Sequence, residues 1–210
     1  RRVRGKQLTP EGRTAFLLLL AAVLLASLPL GFDTVLDGND LYYQFNRITG
    51  IQEALKSEQL PVKIHSTLLH GYGYGSPIFY PEYFLYIPAL LGCAGVSLVN
   101  CYKVLVLLIN AGTAAAAYVS FSGVLRSKRT GLAASLLYTL SVYRLIDIYT
   151  RSAVGEALAM VFLPLVIWGM YELFLGDRRK WYLSALGLTG IMQSHVLTTE
   201  MTLLFGGIFG

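Results

Sequence analysis

Long apolar stretches are the feature that most constrains how this chain can fold. Residues 14–32 and 104–125 contain no charged residue, and each stretch is long enough to cross a lipid bilayer as one helix. Only 14% of the residues are charged and 55% are hydrophobic, which leaves too little polar surface for a soluble domain. The sequence therefore predicts an all-α, polytopic helical membrane protein that forms a single membrane domain over residues 1–210.

Six apolar stretches predict membrane-spanning helices. They lie at residues 14–32, 104–125, 132–146, 157–175, 181–197 and 201–210. The last is too short for a complete span, so we expect the N-terminal part of a longer protein. Basic residues cluster at 1–13, 126–129 and 177–180, and the positive-inside rule assigns such clusters to the cytoplasm. All three clusters lie on that side only if the apolar segment 83–98 is a helix that does not cross the membrane.

This topology predicts an integral plasma-membrane protein with a cytoplasmic N-terminus and a large first extracytoplasmic loop at 33–103. The expected surroundings are membrane lipids, and the low charge of the chain argues against a nucleic-acid partner. Leu41, Phe45 and Ile48 begin a helical apolar spacing that predicts an amphipathic helix in this loop, with Arg47 on its polar face.

Asp40 is the first candidate for a catalytic base, because it immediately precedes the amphipathic helix at the expected membrane surface. A carboxylate in that position can accept a proton from a hydroxyl nucleophile. The other interpretation is that Asp40 caps the helix, and the two roles are compatible. Asp33 and Asp37 are the alternate candidates, with a solvated loop position as their structural interpretation.

A second group of charges brackets the turn between the third and fourth predicted spans and contains Arg144, Asp147, Arg151 and Glu156. An arginine near the membrane surface suits the phosphate of a lipid carrier, because the guanidinium group can bind two oxygens at once. Glu156 is a further catalytic candidate, or the carboxylates join Asp40 in binding a divalent cation such as Mg²⁺ or Mn²⁺. A structural ion pair within a tight turn is the alternative.

Three more residues are candidates for substrate binding. Tyr72 and Tyr74 lie in a glycine-rich loop, where their rings can pack against sugar faces or form part of an interfacial aromatic belt. His195 lies at the end of the fifth predicted span, where it either contacts substrate or is exposed at a helix end.

The chain resembles a known group of membrane proteins in four segments. These are Asp40–Ile48 (DLYYQFNRI), Leu60–Val62 (LPV), Gly71–Pro81 (GYGYGSPIFYP) and Arg151–Glu156 (RSAVGE). They resemble the YfhO-like membrane proteins and the family labelled pyruvoyl-tetrahydropterin-synthase-related membrane proteins. Both families are similar to the GT-C superfamily of polytopic glycosyltransferases, so the resemblance implies a GT-C-like fold.

The resemblance also implies an activity: transfer of a sugar from a polyprenyl-phosphate donor to a cell-envelope acceptor on the extracytoplasmic face. The essential acidic residue of the first external loop then corresponds to Asp40, or less well to Asp33. The charged groups of the next external loop correspond to Asp147, Arg151 and Glu156. The alternative is a non-catalytic transporter, flippase or envelope assembly factor, which places its polar residues near the middle of the bilayer.

Overall fold

The structure is a computed structural model that describes residues 9–209. Residues 1–8, which contain part of the first basic cluster, lie outside this range. Gly210, the last residue of the predicted span 201–210, also lies outside it. The described residues form helices and loops without a β-strand; one isolated antiparallel bridge joins His65 to Tyr74. The α-helices are α1 (Pro10–Ala26), α2 (Leu41–Lys56), α3 (Ser76–Phe79), α4 (Tyr86–Cys93), α5 (Leu98–Val124), α6 (Lys128–Thr139), α7 (Val142–Ile146), α8 (Val154–Leu175), α9 (Tyr182–Met192) and α10 (Val196–Phe209). The all-α prediction is confirmed.

Three helical segments within residues 9–209 are long and apolar enough to cross a membrane. They are Leu98–Val124, Lys128–Arg151 and Val154–Leu175. The second joins α6 and α7 to a π-helical turn, Asp147–Arg151. These segments correspond to the predicted spans 104–125, 132–146 and 157–175. The described part of the chain therefore has helices of the length and apolar character that membrane proteins have.

The other predicted spans correspond to shorter helices, and their crossing of the membrane stays a prediction. Helix α1 has 17 residues and ends at Ala26, because Pro29 and Gly31 lie in a 3₁₀ turn that continues the chain. Helices α9 and α10 have 11 and 14 residues. The segment predicted as a non-crossing helix at 83–98 forms a 3₁₀ turn followed by α4, and α5 begins directly after it.

Helix α5 is central to the described part of the bundle and packs against α1, α4, α6 and α8. The main apolar core joins the amphipathic helix α2 to this bundle. Ile48 and Ile51 of α2 are fully buried there with Leu105 and Ile109 of α5 and Ala157 of α8. The segment that carries Asp40 is therefore fixed to the apolar helices by hydrophobic packing.

Helices α8 and α9 approach each other closely, because glycine occupies their contact points. A Cβ atom built on Gly169 would lie 2.2 Å from the backbone nitrogen of Ser184, and one on Gly187 would lie 2.8 Å from the backbone nitrogen of Val166. Small residues at such positions let apolar helices associate through backbone contact.

We expect Gly169→Ala to destabilise the protein by about 1–3 kcal/mol, because the added methyl group overpacks this contact and forces the helices apart. Thermal unfolding in detergent measures the effect. Gly207→Ala is the matched control, since Gly207 also lies within a helix but has no atom within 4 Å of its built Cβ. Equal midpoints for the two variants would contradict the prediction.

Candidate functional site

The loop before α2 is attached to the turn before α8 by backbone hydrogen bonds. The amide of Asp40 donates to the carbonyl of Arg151 at 2.9 Å, and the amide of Asn39 donates to the carbonyl of Thr150 at 3.3 Å. The Nε2 atom of Gln44 donates to the carbonyl of Ser152 at 3.3 Å. Two segments that are more than a hundred residues apart in sequence are thereby joined side by side.

A close approach at Gly38 makes this junction possible. A Cβ atom at position 38 would lie 2.1 Å from the Oγ atom and 2.9 Å from the Cβ atom of Ser152. Ser152 has a positive φ of 56°, which ends the π-helical turn and directs the chain into α8. The turn and the glycine together bring Asp40 next to Arg151.

The junction forms one wall of a pocket of about 380 Å³. Its lining combines residues from both segments with others from the glycine-rich loop and from the α9–α10 connection: Asp40, Tyr43, Gln44, Tyr74, Tyr80, Arg151, Ala153, Gly155, Glu156, His195 and Leu197. Five sequence-predicted site residues, Asp40, Tyr74, Arg151, Glu156 and His195, therefore line the same pocket.

Two carboxylates hold Arg151 in place. Its Nη1 atom donates to Asp147 Oδ1 at 2.6 Å and to Glu156 Oε2 at 3.0 Å. The hydroxyl of Tyr143 donates to the other oxygen of Glu156, Oε1. The Arg151 side chain remains 43% exposed and lines the pocket, so an anion bound there can contact it.

The Asp40 side chain leaves its carboxylate available. Asp40 occupies the N-cap position of α2, but its side chain makes no capping hydrogen bond. Of the two interpretations of this residue from sequence, side-chain capping is therefore absent. A carboxylate at a pocket wall that is not engaged with the helix can accept a proton from a bound hydroxyl group.

Aromatic rings form another wall. The rings of Tyr80 and His195 are 6.0 Å apart, and the rings of Tyr43 and Tyr80 meet edge to face at 6.2 Å. Burial lowers the pKa of His195 below its ordinary value, although the charge of Glu156 opposes the shift. The Nδ1 atom of His195 lies 2.8 Å from the Thr198 hydroxyl.

A buried polar network that includes Arg47 contacts the rings of Tyr43 and Tyr80. Glu82 Oε1 accepts hydrogen bonds from Arg47 Nε at 2.9 Å and from Ser76 Oγ at 3.1 Å, and it lies 3.1 Å from His65 Nε2. Arg47 also donates from Nη2 to the carbonyl of Pro81 at 2.6 Å. We call Arg47, His65, Ser76 and Glu82 the Glu82 network; it attaches the glycine-rich loop to α2.

The Glu82 network fixes two pocket residues through Arg47. The guanidinium carbon of Arg47 lies 5.4 Å from the ring centroids of both Tyr43 and Tyr80, within the range of cation–π contact. Its Nη1 atom donates to Gln44 Oε1 at 3.2 Å. The expectation that Arg47 lies on the polar face of α2 is wrong, because its side chain is only 2% exposed.

Five predicted site residues do not line the pocket. Asp33, Asp37 and Tyr72 are exposed, and Tyr72 is 93% exposed at the tip of the glycine-rich loop. Asp147 is fully buried beneath Arg151 and orients it. Arg144 is also buried; it donates to Asn110 Oδ1 at 2.5 Å and to the carbonyl of Thr139 at 2.9 Å.

The contact of Arg144 belongs to a second polar network that joins the helices of the bundle. Asn110, near the middle of α5, donates to Ser27 Oγ at 2.9 Å and to the Tyr149 hydroxyl at 3.3 Å. Polar side chains inside an apolar bundle are stable when they satisfy one another in this way. This network connects α1, α5 and α7, and neither Arg144 nor Asn110 lines the pocket.

An apolar cavity of about 500 Å³ meets the pocket at Glu156. It extends along α8 and α10, and its lining shares Glu156 with the pocket while the remainder is mostly apolar: Tyr143, Glu156, Met160, Leu163, Val166, Ile167, Met170, Thr198, Met201, Thr202, Phe205 and Gly206. Polar and apolar spaces therefore adjoin at one carboxylate.

The divalent-cation hypothesis has no preformed ligand set in the described part of the chain. Within residues 9–209, no three His, Cys, Asp or Glu side chains are grouped so that they could hold a metal ion. Asp147 and Glu156 instead share the guanidinium group of Arg151.

Sequence reasoning missed Tyr43, Gln44 and Tyr80 as pocket residues. Tyr43 and Gln44 lie three and four residues after Asp40, which is the helical spacing that places side chains on the same face. That spacing could have identified them. Tyr80 has no comparable local signal, because its position depends on Glu82 and Arg47.

Comparison with curated proteins finds an "Uncharacterized protein" of Lactococcus lactis subsp. cremoris (strain MG1363). It is 28% identical over 201 residues, and the match covers 90% of this chain and 32% of that protein. The chain thus spans about a third of the length of the curated relative it matches. No protein-family model and no solved structure matches the chain.

Proposed function

We propose that this chain forms the catalytic pocket of a GT-C-like membrane glycosyltransferase. The enzyme transfers a sugar from a polyprenyl-phosphate donor to a cell-envelope acceptor on the extracytoplasmic face. The observation that carries the proposal is the convergence of Asp40, Arg151, Glu156 and His195 in one pocket that adjoins an apolar cavity. A carboxylate, a cation, aromatic rings and an apolar space are the groups that this reaction needs.

Each group has a defined task in the transfer. Asp40 accepts the proton of the acceptor hydroxyl as its oxygen attacks the anomeric carbon of the sugar. The bond between that carbon and the phosphate oxygen breaks, and polyprenyl phosphate leaves with the bonding electrons. Arg151 stabilises the negative charge that develops on the leaving phosphate. The proton then passes from Asp40 to solvent.

The ion pairs of Arg151 support this role because they orient the side chain before the donor binds. Asp147 and Glu156 both accept from Nη1 and leave Nη2 and Nε for phosphate oxygens. Preorganised charge stabilises a transition state without the cost of reorientation.

The apolar cavity suits the polyprenyl chain of the same donor. Its boundary with the pocket at Glu156 permits a phosphate near Arg151 and an isoprenoid tail between α8 and α10. Burial of each methylene-sized group of such a tail contributes about 0.8 kcal/mol. The tail therefore provides binding energy, while the polar pocket provides the chemistry.

The direct test is incubation of the full-length protein in membranes with a radiolabelled polyprenyl-phosphate sugar and an envelope fraction as acceptor. We expect label in the acceptor and release of polyprenyl phosphate. Movement of intact donor between leaflets without release of polyprenyl phosphate would instead support the flippase alternative.

Arg151→Lys tests the role of the guanidinium group. Lysine keeps the charge that Asp147 and Glu156 require but loses the planar group that can bind two phosphate oxygens. We expect kcat/KM for the donor to fall by roughly 10- to 100-fold, since a hydrogen bond to a charged group contributes about 1.5–3 kcal/mol. Arg178→Lys, at an exposed position, is the matched control and should leave kcat/KM unchanged. An unchanged kcat/KM in Arg151→Lys would exclude a role of the Arg151 guanidinium group in binding the phosphate.

A further inference from the structure

A second polar cavity lies at the opposite end of α8 from the pocket. Its volume is about 530 Å³, and it is lined where α5 and α8 end: Gly123, Arg126, Trp168, Glu172, Leu175, Gly176, Asp177 and Lys180. Glu156 of the pocket and Glu172 of the distal cavity are 16 residues apart along α8, a rise of about 24 Å. We call it the distal cavity.

One wall of the distal cavity is a fixed hydrogen-bond network around Glu172. Its Oε1 atom accepts from Trp168 Nε1 at 3.1 Å and from Lys180 Nζ at 2.6 Å, and its Oε2 atom accepts from the amide of Asp177 at 2.9 Å. The Lys180 ammonium also lies 5.8 Å from the centroid of the Trp168 ring. Lys180 is thus held in place while part of its ammonium group remains available.

Close packing fixes the position of Trp168 itself. A Cβ atom on Gly123 would lie 2.3 Å from Trp168 Cε2, so the indole ring packs directly on the backbone of α5. The wall that carries Lys180 is therefore attached to α5 and α8, which are both long and apolar enough to cross a membrane.

The turn between α5 and α6 contributes a second cation to the lining of the distal cavity. Arg126 lies in the turn between α5 and α6 with a positive φ of 50°, and it makes no ion pair or side-chain hydrogen bond within residues 9–209. It is exposed, and it lines the same cavity as Lys180. Two cations that line one cavity can bind the oxygens of one phosphate group.

The surrounding charge is positive. Beyond the cavity lining, Lys128, Arg129, Arg178 and Arg179 are exposed around this end of the bundle, and Glu11 pairs with Arg129. Within the cavity, Glu172 is neutralised by Lys180, and the carboxylate of Asp177 accepts the amide of Arg179. An anion entering the cavity therefore meets Arg126 and an excess of cations around the opening.

Apolar side chains lie next to these charges. Leu125, Phe174 and Leu175 are 46%, 51% and 75% exposed at the ends of α5 and α8. An anionic phospholipid carries the same combination of a charged phosphate and apolar chains. Basic residues immediately beyond spanning helices attract such lipids by about 1 kcal/mol per residue.

We propose that the distal cavity binds the phosphate of an anionic phospholipid headgroup between Arg126 and Lys180. This site is separate from the proposed catalytic pocket and does not depend on the transferase activity. The bound lipid links the α5–α6 turn to the end of α8 and stabilises the bundle at this membrane surface.

The test is thermal unfolding of the full-length protein in neutral detergent micelles supplemented with phosphatidylglycerol, phosphatidylcholine or inorganic phosphate. We expect phosphatidylglycerol to raise the midpoint by roughly 3–6 °C at about ten times its Kd. Phosphatidylcholine and inorganic phosphate should have much smaller effects, because the first has no net charge and the second has no apolar chains.

Variants distinguish a specific phosphate site in the distal cavity from general attraction of anionic lipid to positive charge. Arg126→Gln should lose most of the phosphatidylglycerol shift, and Arg126→Lys should recover part of it. Arg129→Gln removes one charge from the same end of the bundle but lies outside the cavity lining, so it should keep the shift. Equal loss in Arg126→Gln and Arg129→Gln would overturn the proposal. An equal response to phosphatidylglycerol and phosphatidylcholine would also overturn it.

Discussion

Asp40→Asn should leave a folded protein whose sugar-transfer rate is reduced by about 100-fold or more, the usual contribution of a general base. Asparagine has nearly the same shape as aspartate but cannot accept the acceptor proton. The backbone amide of residue 40, which donates to the Arg151 carbonyl at 2.9 Å, is unchanged by the substitution. Because the Asp40 side chain makes no capping bond to α2, the helix should also be unaffected.

The measurement is kcat for transfer from a polyprenyl-phosphate sugar, together with the unfolding midpoint of the same preparation. Asp33→Asn and Asp37→Asn are matched controls, since both residues are exposed in the same loop and neither lines the pocket. A folded Asp40→Asn protein with full activity would refute the assignment. A large loss in Asp33→Asn and none in Asp40→Asn would transfer the role to Asp33.

Glu82→Gln should destabilise the protein by about 3–5 kcal/mol, the usual cost of removing one partner from a buried ion pair. The substitution leaves the guanidinium group of Arg47 buried without a counter-charge, at 2% side-chain exposure. Thermal and denaturant unfolding in detergent measure the loss. Tyr43 and Tyr80 pack against Arg47, so the variant should also bind substrate less well.

Two comparisons test the physical cause of this loss. Glu53→Gln makes the same change on an exposed part of α2 and should alter stability by less than about 0.5 kcal/mol. The double variant Arg47→Met/Glu82→Met should lose less stability than Arg47→Met and Glu82→Met lose together when each is made alone. The reason is that the double variant leaves no unpaired buried charge. Strict additivity would show that the pair is not coupled.

The pH dependence of stability gives a separate signature of Glu82. Burial by itself raises the pKa of Glu82, but hydrogen bonds with His65 and Arg47 outweigh burial and lower the pKa below its ordinary value of 4.5. A carboxylate with a lowered folded-state pKa stabilises the protein above its unfolded-state pKa, and this stabilisation is lost as the pH falls through the folded-state value. Glu82→Gln should lack that acid-dependent loss.

Much of the helical architecture could be predicted from sequence, because hydrophobic periodicity and length are local properties. The stretch 104–125 was recognisable as a span from composition alone, and α5 contains nearly all of it. The amphipathic helix was predicted from its apolar spacing, and α2 covers Leu41–Lys56. Boundaries were less accurate where a helix continues through polar residues, as at the π-helical turn 147–151.

Arg47 illustrates where this reasoning fails. Gln44, Arg47, Ile48 and Ile51 follow the spacing of a single helix face, and all four are buried. A hydrophobicity pattern assigns the polar members of such a face to solvent. Burial of the charged Arg47 side chain becomes favourable only with Glu82, which lies 35 residues away in the chain.

The sequence by itself determined the class of protein and the chemistry of its candidate residues. Apolar length predicts helices for a membrane, and the side chains of Asp40, Arg151, Glu156 and His195 can accept protons, bind anions or do both. The tertiary structure decided which of them lie together: the contact between Gly38 and Ser152 brings Asp40 to Arg151, and Asp147 is buried beneath Arg151. Side-chain chemistry is a property of each residue, whereas a pocket depends on contacts between segments that are distant in the chain.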